Sequence, residues 1–340
     1  DRFMIQEDGS RAPGNRRPFE GIFIMFVKKL KEIINLLKSI LNHPLNQKNK
    51  FKAILRFLTF NIARRLINKK EIIFPWIDNA KFIIGINEIQ LRFNIYWGMV
   101  EYKDMSFLLH CLRKDDVFID CGANIGVYSI LASKVIGAKS IAFEPHPETV
   151  KRFIDQISVN RINDSVTIIQ KAVGNKLGKI NFTNFIGTGS VLNQVSREKV
   201  KIEQSDIGNE TTNVDVTTLD HQLKNIDKNY IIKIDIEGYE YAAVQGAKSL
   251  LINKNLIALI IENNQMSEYY NIKRIQIHEK LTSYNLFPVE YRPSERKIVK
   301  INFEKSKNLN LIYVRDFEKI QELCLTSKKF KIHTANEIEI

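Results

Sequence analysis

The sequence predicts an α/β fold organised around a mostly parallel β-sheet. Residues 117–119 form a short apolar run that ends in an acid and a glycine loop, and residues 127–135 then carry apolar side chains at helical spacing. A second short apolar run, residues 140–143, follows. The same alternation of strand and helix returns in residues 230–261. Short, continuous apolar strands are typical of parallel sheets, because helices cover both of their faces.

The loop between the first strand and its helix, residues 120–126, reads DCGANIG and predicts a ligand site. Gly122 and Gly126 permit tight turns and let a ligand approach the main chain. The third glycine of the dinucleotide fingerprint G-x-G-x-x-G is absent, and the carboxylate of Asp120 would repel a pyrophosphate. An acid suits a cationic ligand, and Glu144 stands about twenty residues farther on, where such folds bind ribose hydroxyls. We therefore expect S-adenosylmethionine rather than NAD, the alternative being a βαβ unit without a ligand.

A second acidic group lies in residues 230–240, which read YIIKIDIEGYE. Asp235 and Glu237 follow a predicted strand directly, and ligands bind at the carboxyl ends of the strands in open α/β sheets. Transfer of a methyl group to a hydroxyl requires a base only to accept the hydroxyl proton. The candidate bases are Asp235, Glu237 and His221, and the alternative role of Asp235 is to orient the amino group of the cofactor.

Glu262 and Asn263 follow the next predicted strand, residues 256–261, at the same edge of the sheet. Together with Asp235 they offer the oxygen ligands that Mg²⁺ prefers, in an arrangement similar to magnesium-dependent catechol and sugar O-methyltransferases. A cation held there would help to form the alkoxide without a strong base. The alternative is that Glu262 pairs with Lys233 and that no metal binds.

Five short motifs in this order resemble those of the FkbM-type S-adenosylmethionine-dependent methyltransferases, over roughly residues 100–262: DCGANIG, FEP, AVG, VTTLD and KIDIEGYE. The resemblance implies a Rossmann-like class I methyltransferase fold, with a seven-stranded, mostly parallel sheet that contains one antiparallel strand. It implies methyl transfer to a hydroxyl of a sugar, a polysaccharide precursor or a related metabolite. It also implies site residues: the methionine part of the cofactor at Asp120, Gly122, Asn124 and Gly126, the ribose at Glu144 with Pro145, and the methyl donor and acceptor at Asp235, Glu237 and Gly238.

The positive charge of the protein is local. The chain of 340 residues has a formal net charge of +13, but residues 25–75 hold 12 Lys and Arg against 2 acids, which leaves 39 against 36 elsewhere. The basic segment raises the alternative of a methyltransferase that acts on nucleic acid or protein. However, the Asp/Asn-Pro-Pro-aromatic motif of enzymes that methylate exocyclic amines is absent, because IDIEG stands at the fourth strand. A non-catalytic, membrane-associated assembly protein that keeps the fold as a relic is a further alternative.

Residues 26–41 and 49–68 carry apolar side chains at helical spacing with lysines and arginines between them, and predict two basic amphipathic helices. They either pack on the domain or a partner chain, or lie on an anionic membrane surface. The apolar run at residues 22–27 is far shorter than the eighteen or so residues that span a bilayer. Three scattered cysteines predict buried thiols in a cytoplasmic protein, at most peripheral to the membrane.

The remaining segments complete the predicted organisation. Residues 1–24 are expected to be disordered or non-native, with Met25 as the alternative start, and residues 25–75 form the basic helical extension. The methyltransferase domain covers residues 76–316. Within it, residues 81–97 predict a β-hairpin, and residues 179–218 predict an irregular insertion with short strands. The insertion is either a surface excursion or, together with the hairpin, an element that binds or covers the small-molecule or glycan acceptor. Residues 317–340 are a helix followed by a frayed tail, and the sequence carries no signal for an oligomeric state.

Overall fold

A computed structural model describes residues 18–66, 71–85, 89–185, 194–195, 209–224, 226–263, 265–306, 308–333 and 337–340. The strands are β1 (Glu71–Pro75), β2 (Lys81–Gly85), β3 (Val117–Cys121), β4 (Lys139–Phe143), β5 (Val166–Ile169), β6 (Ala172–Val173), β7 (Gly178–Phe185), β8 (Gln194–Val195), β9 (Asn209–Thr217), β10 (Tyr230–Ile234), β11 (Leu256–Glu262), β12 (Phe287–Arg292), β13 (Lys297–Lys300), β14 (Asn310–Val314), β15 (Lys331–Ile332) and β16 (Ile338–Glu339). The helices are α1 (Pro18–Asn42), α2 (Lys50–Leu66), α3 (Ile89–Trp97), α4 (Tyr102–Cys111), α5 (Val127–Ile130), α6 (Pro147–Asn160), α7 (Leu219–Gln222), α8 (Glu240–Gln245), α9 (Lys248–Ile252), α10 (Arg274–Thr282) and α11 (Phe317–Thr326).

The central sheet confirms the predicted α/β class. Its eight strands lie in the order β13-β12-β14-β11-β10-β3-β4-β5. The five strands β11, β10, β3, β4 and β5 pair in parallel, and β14 enters antiparallel between β11 and β12. The predicted number of seven strands is one too low, because β13 adds an eighth strand that turns back antiparallel onto β12.

Burial on both faces explains why the central strands are continuously apolar. Every residue of β3, β10 and β14 is buried. Neighbouring residues point to opposite faces, so Phe118 belongs to the apolar cluster on one side of the sheet and Ile119 to the cluster on the other. In the same way Ile231 and Ile232 of β10 divide between the two clusters. The polar residues that end these strands therefore stand out against an apolar background.

The hairpin predicted for residues 81–97 is wrong. β2 pairs with β1, and the second half of the segment is the helix α3. Apolar residues at 89, 91, 93 and 95 alternate as in a strand, but Leu91 and Ile95 are also one helical turn apart. The structure buries both of these side chains completely. Tertiary packing therefore selects the helical period of a segment whose pattern fits both.

The insertion is more regular than predicted in the part that the structure describes. β7, with 8 residues, pairs antiparallel along its length with β9, with 9 residues, and β6 and β8 complete a four-stranded sheet. Val214 and Val216 are buried with Ala172, and Ile180 packs against them. The glycine-rich residues 187–190 lie outside the described residues.

The helical segment that follows β10 is divided into α8 and α9 at Gly246, where a Cβ would overlap the carbonyl oxygen of Gly174. The prediction for the C-terminal tail needs correction. The tail after α11 is not frayed in its described part, because β15 and β16 pair and both Phe330 and Ile332 are buried. Ile332 also forms an isolated bridge with Ile77, which ties the tail to the hairpin β1-β2.

Two basic helices precede the central domain, as the sequence predicts, and α1 begins at Pro18, before Met25. Asn46, between the helices, is fully buried. Its side-chain amide donates hydrogen bonds of 2.9 Å to the carbonyl oxygens of Ile40 and Tyr96, and its Oδ1 accepts one of 2.7 Å from Arg56. The hydrogen bond from Asn46 to Tyr96 thus connects the basic helical extension to α3. Among the described helices, none is both long enough and apolar enough to cross a membrane.

We predict that Asn46→Ala lowers the free energy of unfolding by about 2 kcal/mol or more, because it removes three hydrogen bonds made by a fully buried side chain. Urea denaturation followed by circular dichroism measures the change. Asn35→Ala, at an exposed position of α1, is the matched control and should change stability by less than about 0.5 kcal/mol. Equal stability of the two variants would contradict the proposed fastening.

Candidate functional site

A cavity of about 240 Å³ lies at the carboxyl ends of β3, β4 and β10. Asp120, Glu144 and Asp235, one from the end of each strand, all line it. Three acids predicted from separate motifs therefore meet in one place. The strands converge there because β3 pairs in parallel with both β4 and β10, so that their carboxyl ends share one edge.

The glycines of the first loop are required by its geometry. Gly122 has φ +79°, and a Cβ at this position would overlap the carbonyl oxygen of Asp235. Gly126 has φ +85°, and a Cβ there would overlap the ring of Phe153 in α6. Both positions are strained for any other residue and have no room for a side chain. The loop consequently lies directly against the end of β10.

Asp120 and Glu144 are buried acids whose charge is costly in the absence of a ligand. Burial raises the pKa of Asp120 to about 6, against the favourable effect of the Lys233 ammonium, and raises the pKa of Glu144 to about 7. Oδ2 of Asp120 accepts a hydrogen bond of 2.7 Å from the Ser129 hydroxyl. These carboxylates favour a cation in the cavity, because a positive charge would compensate for their lost hydration.

Glu144 also organises the two loops around it. Its Oε2 accepts a hydrogen bond of 3.0 Å from the backbone N–H of Asn124, and its Oε1 accepts one of 3.0 Å from the N–H of His146. His146 is the N-cap of α6, and its Nδ1 accepts from the N–H of Thr149. Glu144 therefore connects the loop after β3 to the loop after β4.

Lys233 is a buried cation beneath the cavity. Its Nζ lies 2.5 Å from Oδ2 of Asp235 and 4.6 Å from the centre of the Tyr128 ring. Burial alone would lower the pKa of Lys233, but the carboxylates of Asp235, Glu101 and Asp120 outweigh burial and raise this pKa. The ion pair that the structure describes for Lys233 is with Asp235, whereas the sequence alternative supposed a pair with Glu262.

Asp235, Glu237 and Glu262 bring one carboxylate oxygen each to within 4.8 Å of one another. Burial, followed by repulsion from Asp235 and Glu240, raises the pKa of Glu237 to about 8. Burial and the charge of Asp235 raise the pKa of Glu262 to about 10. Glu240 has a structural role, since its Oε1 accepts from the N–H groups of Ile236 and Gly238 at 3.1 and 3.0 Å. The cluster thus places strongly interacting acids at the carboxyl ends of the neighbouring strands β10 and β11.

Five residues predicted for the site do not line the cavity, namely Gly126, His221, Gly238, Glu262 and Asn263. His221, a candidate base, is exposed on α7 and is not among the residues that line the cavity. Asn263, a candidate metal ligand, donates from its amide to the carbonyl oxygen of Asn308 at 3.1 Å, and Glu237 takes its place in the carboxylate cluster. Pro145 and Asn124 line the cavity, as predicted.

The sequence prediction missed the other wall of the cavity. Helix α3 contributes Phe93 and Asn94 to this wall, and α4 contributes Met105 together with its N-cap residue, Glu101. Glu101 accepts a hydrogen bond of 2.6 Å from the Tyr128 hydroxyl and one of 3.0 Å from the amide of Asn310 in β14. No motif marks this wall. The helical spacing of Leu91 and Ile95 could have predicted α3, but the same segment was assigned to a hairpin.

Residues 120–284 match the family model of the methyltransferase FkbM domain. The chain contains an FkbM methyltransferase domain. This confirms the family resemblance of the sequence motifs, and the topology of the central sheet confirms the fold that they imply.

Proteins similar to this chain include the hexuronic acid methyltransferase AglP of Haloferax volcanii. The two are 25% identical over 161 residues, which cover 47% of this chain and 62% of AglP. A second similar protein is the uncharacterized chromosomal cassette SCCmec type IVc protein CR006 of Staphylococcus aureus. It is 20% identical to this chain, in an alignment that covers 84% of this chain and 46% of CR006. The chain thus spans less than two thirds of either relative. A solved putative methyltransferase from Streptococcus mutans in complex with SAH aligns with a TM-score of 0.34 and 12% identity, over 62% of this chain and 93% of that one.

We predict that Gly122→Ala destabilises the FkbM domain by about 3 kcal/mol or more, because the new methyl group meets the backbone of β10 in a left-handed conformation. Gly178→Ala is the control, since nothing lies within 4 Å of a Cβ at that position. Urea unfolding of the two variants and the parent measures the difference. Similar unfolding free energies for the two variants would show that the loop does not press against β10.

Proposed function

We propose that this protein is an S-adenosylmethionine-dependent methyltransferase that methylates a hydroxyl of a sugar, a polysaccharide precursor or a related metabolite. The observation that carries the proposal is the meeting of Asp120, Glu144 and Asp235 in one cavity, at the carboxyl ends of three adjacent parallel strands. The FkbM domain supports the class of reaction. The alternatives of a nucleic-acid or protein substrate, and of a non-catalytic relic, are decided by the experiments below.

The donor side of the cavity is the loop at residues 120–126 together with Glu144. Asp120 supplies negative charge for the cationic methionine part, and Gly122 keeps the main chain open to a ligand. Glu144 faces the ribose hydroxyls while its bonds to Asn124 and His146 hold its carboxylate in place. When bound, S-adenosylmethionine supplies an electrophilic methyl group on sulfur. Because the pKa values of Asp120 and Glu144 are about 6 and about 7, affinity for this cation should fall as the pH is lowered through that range.

The acceptor side is the carboxylate cluster of Asp235, Glu237 and Glu262. Carboxyl oxygens accept hydrogen bonds from hydroxyl groups in the ionised form and also, with less capacity, in the protonated form, so the cluster orients an alcohol. The leaving group is a neutral thioether, so alignment and exclusion of water contribute most of the rate. Oδ2 of Asp235 is already bonded to the Lys233 ammonium, so we assign Asp235 the role of orienting the alcohol. Glu237, with a pKa of about 8, accepts the hydroxyl proton, because a base is most effective when its pKa lies near the working pH.

A sugar acceptor is supported by the side chains around the cluster. Tyr239 lines the cavity and offers an aromatic ring, while the acids offer acceptors for several hydroxyls. Lys171 lines the same cavity and would pair with the carboxylate of an acidic sugar. The relative AglP is a hexuronic acid methyltransferase, which is consistent with such an acceptor.

We predict that Asp120→Asn weakens binding of S-adenosylmethionine by at least about tenfold, the effect of losing one charge contact of roughly 1.4 kcal/mol. Isothermal titration calorimetry with S-adenosylmethionine and with its demethylated product measures the affinity. Asp115→Asn, an exposed acid close to β3, is the control and should bind like the parent.

NAD and a DNA duplex are titrated against the same samples. No heat from S-adenosylmethionine with the parent protein would refute the donor site, and binding of NAD in its place would reassign the cavity. With the donor bound, transfer of a labelled methyl group to uronic acids and neutral sugars, but not to RNA or protein, is expected.

Glu237→Gln should lower kcat by about a hundredfold or more without a matching loss of donor affinity. A Glu237→Gln enzyme with the kcat of the parent would refute the assignment of this residue as the base.

Magnesium is not required in this mechanism. The carboxylate cluster has suitable ligand atoms, but the Lys233 ammonium already neutralises Asp235 and would repel a divalent cation. We therefore expect methyl transfer to continue in excess EDTA. Loss of activity that added Mg²⁺ restores would instead establish the metal site at Asp235, Glu237 and Glu262.

A further inference from the structure

The outer side of α2 carries an apolar surface that the proposed reaction does not use. We call Phe51, Leu55, Leu58 and Ile62 the α2 ridge. Their spacing places them on one face of the helix, and they are 75%, 48%, 47% and 53% exposed. Ala53 and Phe60, on the opposite side of the helix, are 0% and 5% exposed and pack into the core. The ridge is therefore a separate apolar face and not the margin of the contact with the domain.

Helix α1 continues this pattern. Leu30, Ile33 and Ile34 lie on one face of it and are 46%, 43% and 42% exposed. Among residues 27–42 of this helix, whose side chains the structure describes, Ile40 near the end is the fully buried apolar residue. Each of the two helices thus has one set of apolar residues that packs on the domain and a second set that faces solvent.

Positive charge surrounds these apolar faces. Residues 27–66 contain ten Lys and Arg and one acid, Glu32. The exposed cations are Lys28, Lys29, Lys31, Lys38, Lys48, Lys50, Lys52 and Arg65. Aliphatic side chains flanked by lysines are the combination that binds an anionic bilayer, because the apolar groups enter the headgroup boundary while the ammonium groups remain at the phosphates.

We propose that α1 and α2 dock the protein onto an anionic lipid bilayer through the α2 ridge and the exposed lysines. A second copy of the chain fits less well, because pairing the two faces would bring like charges together. Nucleic acid would satisfy the charge but leave the aliphatic ridge in water, since bases stack on aromatic rings and Phe51 is the one aromatic residue of the ridge. The proposal does not depend on the proposed reaction, and its test requires no substrate.

The test is cosedimentation of the full chain with vesicles of phosphatidylglycerol and phosphatidylcholine. The ridge variant, with Phe51→Gln, Leu55→Gln, Leu58→Gln and Ile62→Gln, should lose at least about tenfold in partition coefficient. The matched control changes Ile154, Leu177, Ile252 and Leu325 to Gln; these residues are 48%, 55%, 53% and 57% exposed elsewhere on the molecule. The control should bind vesicles like the parent.

A charge variant provides an independent readout that does not alter the ridge. Lys48→Gln, Lys50→Gln and Lys52→Gln together should weaken binding to the anionic vesicles by roughly fivefold per lysine, and binding to pure phosphatidylcholine vesicles should be much weaker for every sample. Circular dichroism and thermal unfolding should show that both variants keep the parent fold, because the altered side chains face solvent.

Several outcomes would overturn the proposal. One is failure of the parent protein to cosediment with anionic vesicles, and another is equal cosedimentation of the ridge variant and the parent. A third is a parent dimer, seen by light scattering, that the ridge variant abolishes while vesicle binding stays the same; that result would assign the ridge to a second copy of the chain.

Discussion

The buried ammonium of Lys233 is the interaction on which the candidate site depends. Lys233 belongs to β10, in register with Asp120 of β3, and its charge compensates the carboxylates of Asp235, Asp120 and Glu101. Burying an unpaired carboxylate costs several kcal/mol, so acids could not gather at this edge of the sheet without a fixed cation. The ring of Tyr128 adds a further favourable contact with the same ammonium group. The negative character of the cavity is therefore sustained by a positive charge beneath it.

The acids of the site differ in how directly this charge is compensated. Asp235 forms an ion pair with Lys233, whereas at Glu144 and Glu262 burial is the largest effect and raises the pKa of each carboxyl group. In the proposed reaction, the cationic donor would bind beside Asp120 and Glu144, and the alcohol would bind beside Asp235, Glu237 and Glu262.

The sequence was sufficient for the parts of the fold in which local pattern and tertiary environment agree. The apolar strands β3, β4, β10 and β11 and the glycine loop at residues 120–126 were predicted because burial on both faces and positive φ angles leave few alternative residues. Helix α3 was not, because its apolar residues fit two periods and only contact with the domain selects one. The wall from α3 and α4 was missed for a related reason. Glu101 acquires its role through Tyr128 and Asn310, which are distant in sequence, and no local pattern records such contacts.

The bond between Glu101 and Asn310 joins the segment before β3 to a strand near the end of the chain. Both partners lie outside residues 120–284, the part that matches the family. The segment recognised by descent is therefore smaller than the unit that folds and encloses the cavity. An excised fragment with the family boundaries would lack one wall and would expose the edge of β11 that β14 covers. The family match and the folded unit therefore have different boundaries in this molecule. A fragment intended to carry the cavity would have to follow the boundaries of the folded unit.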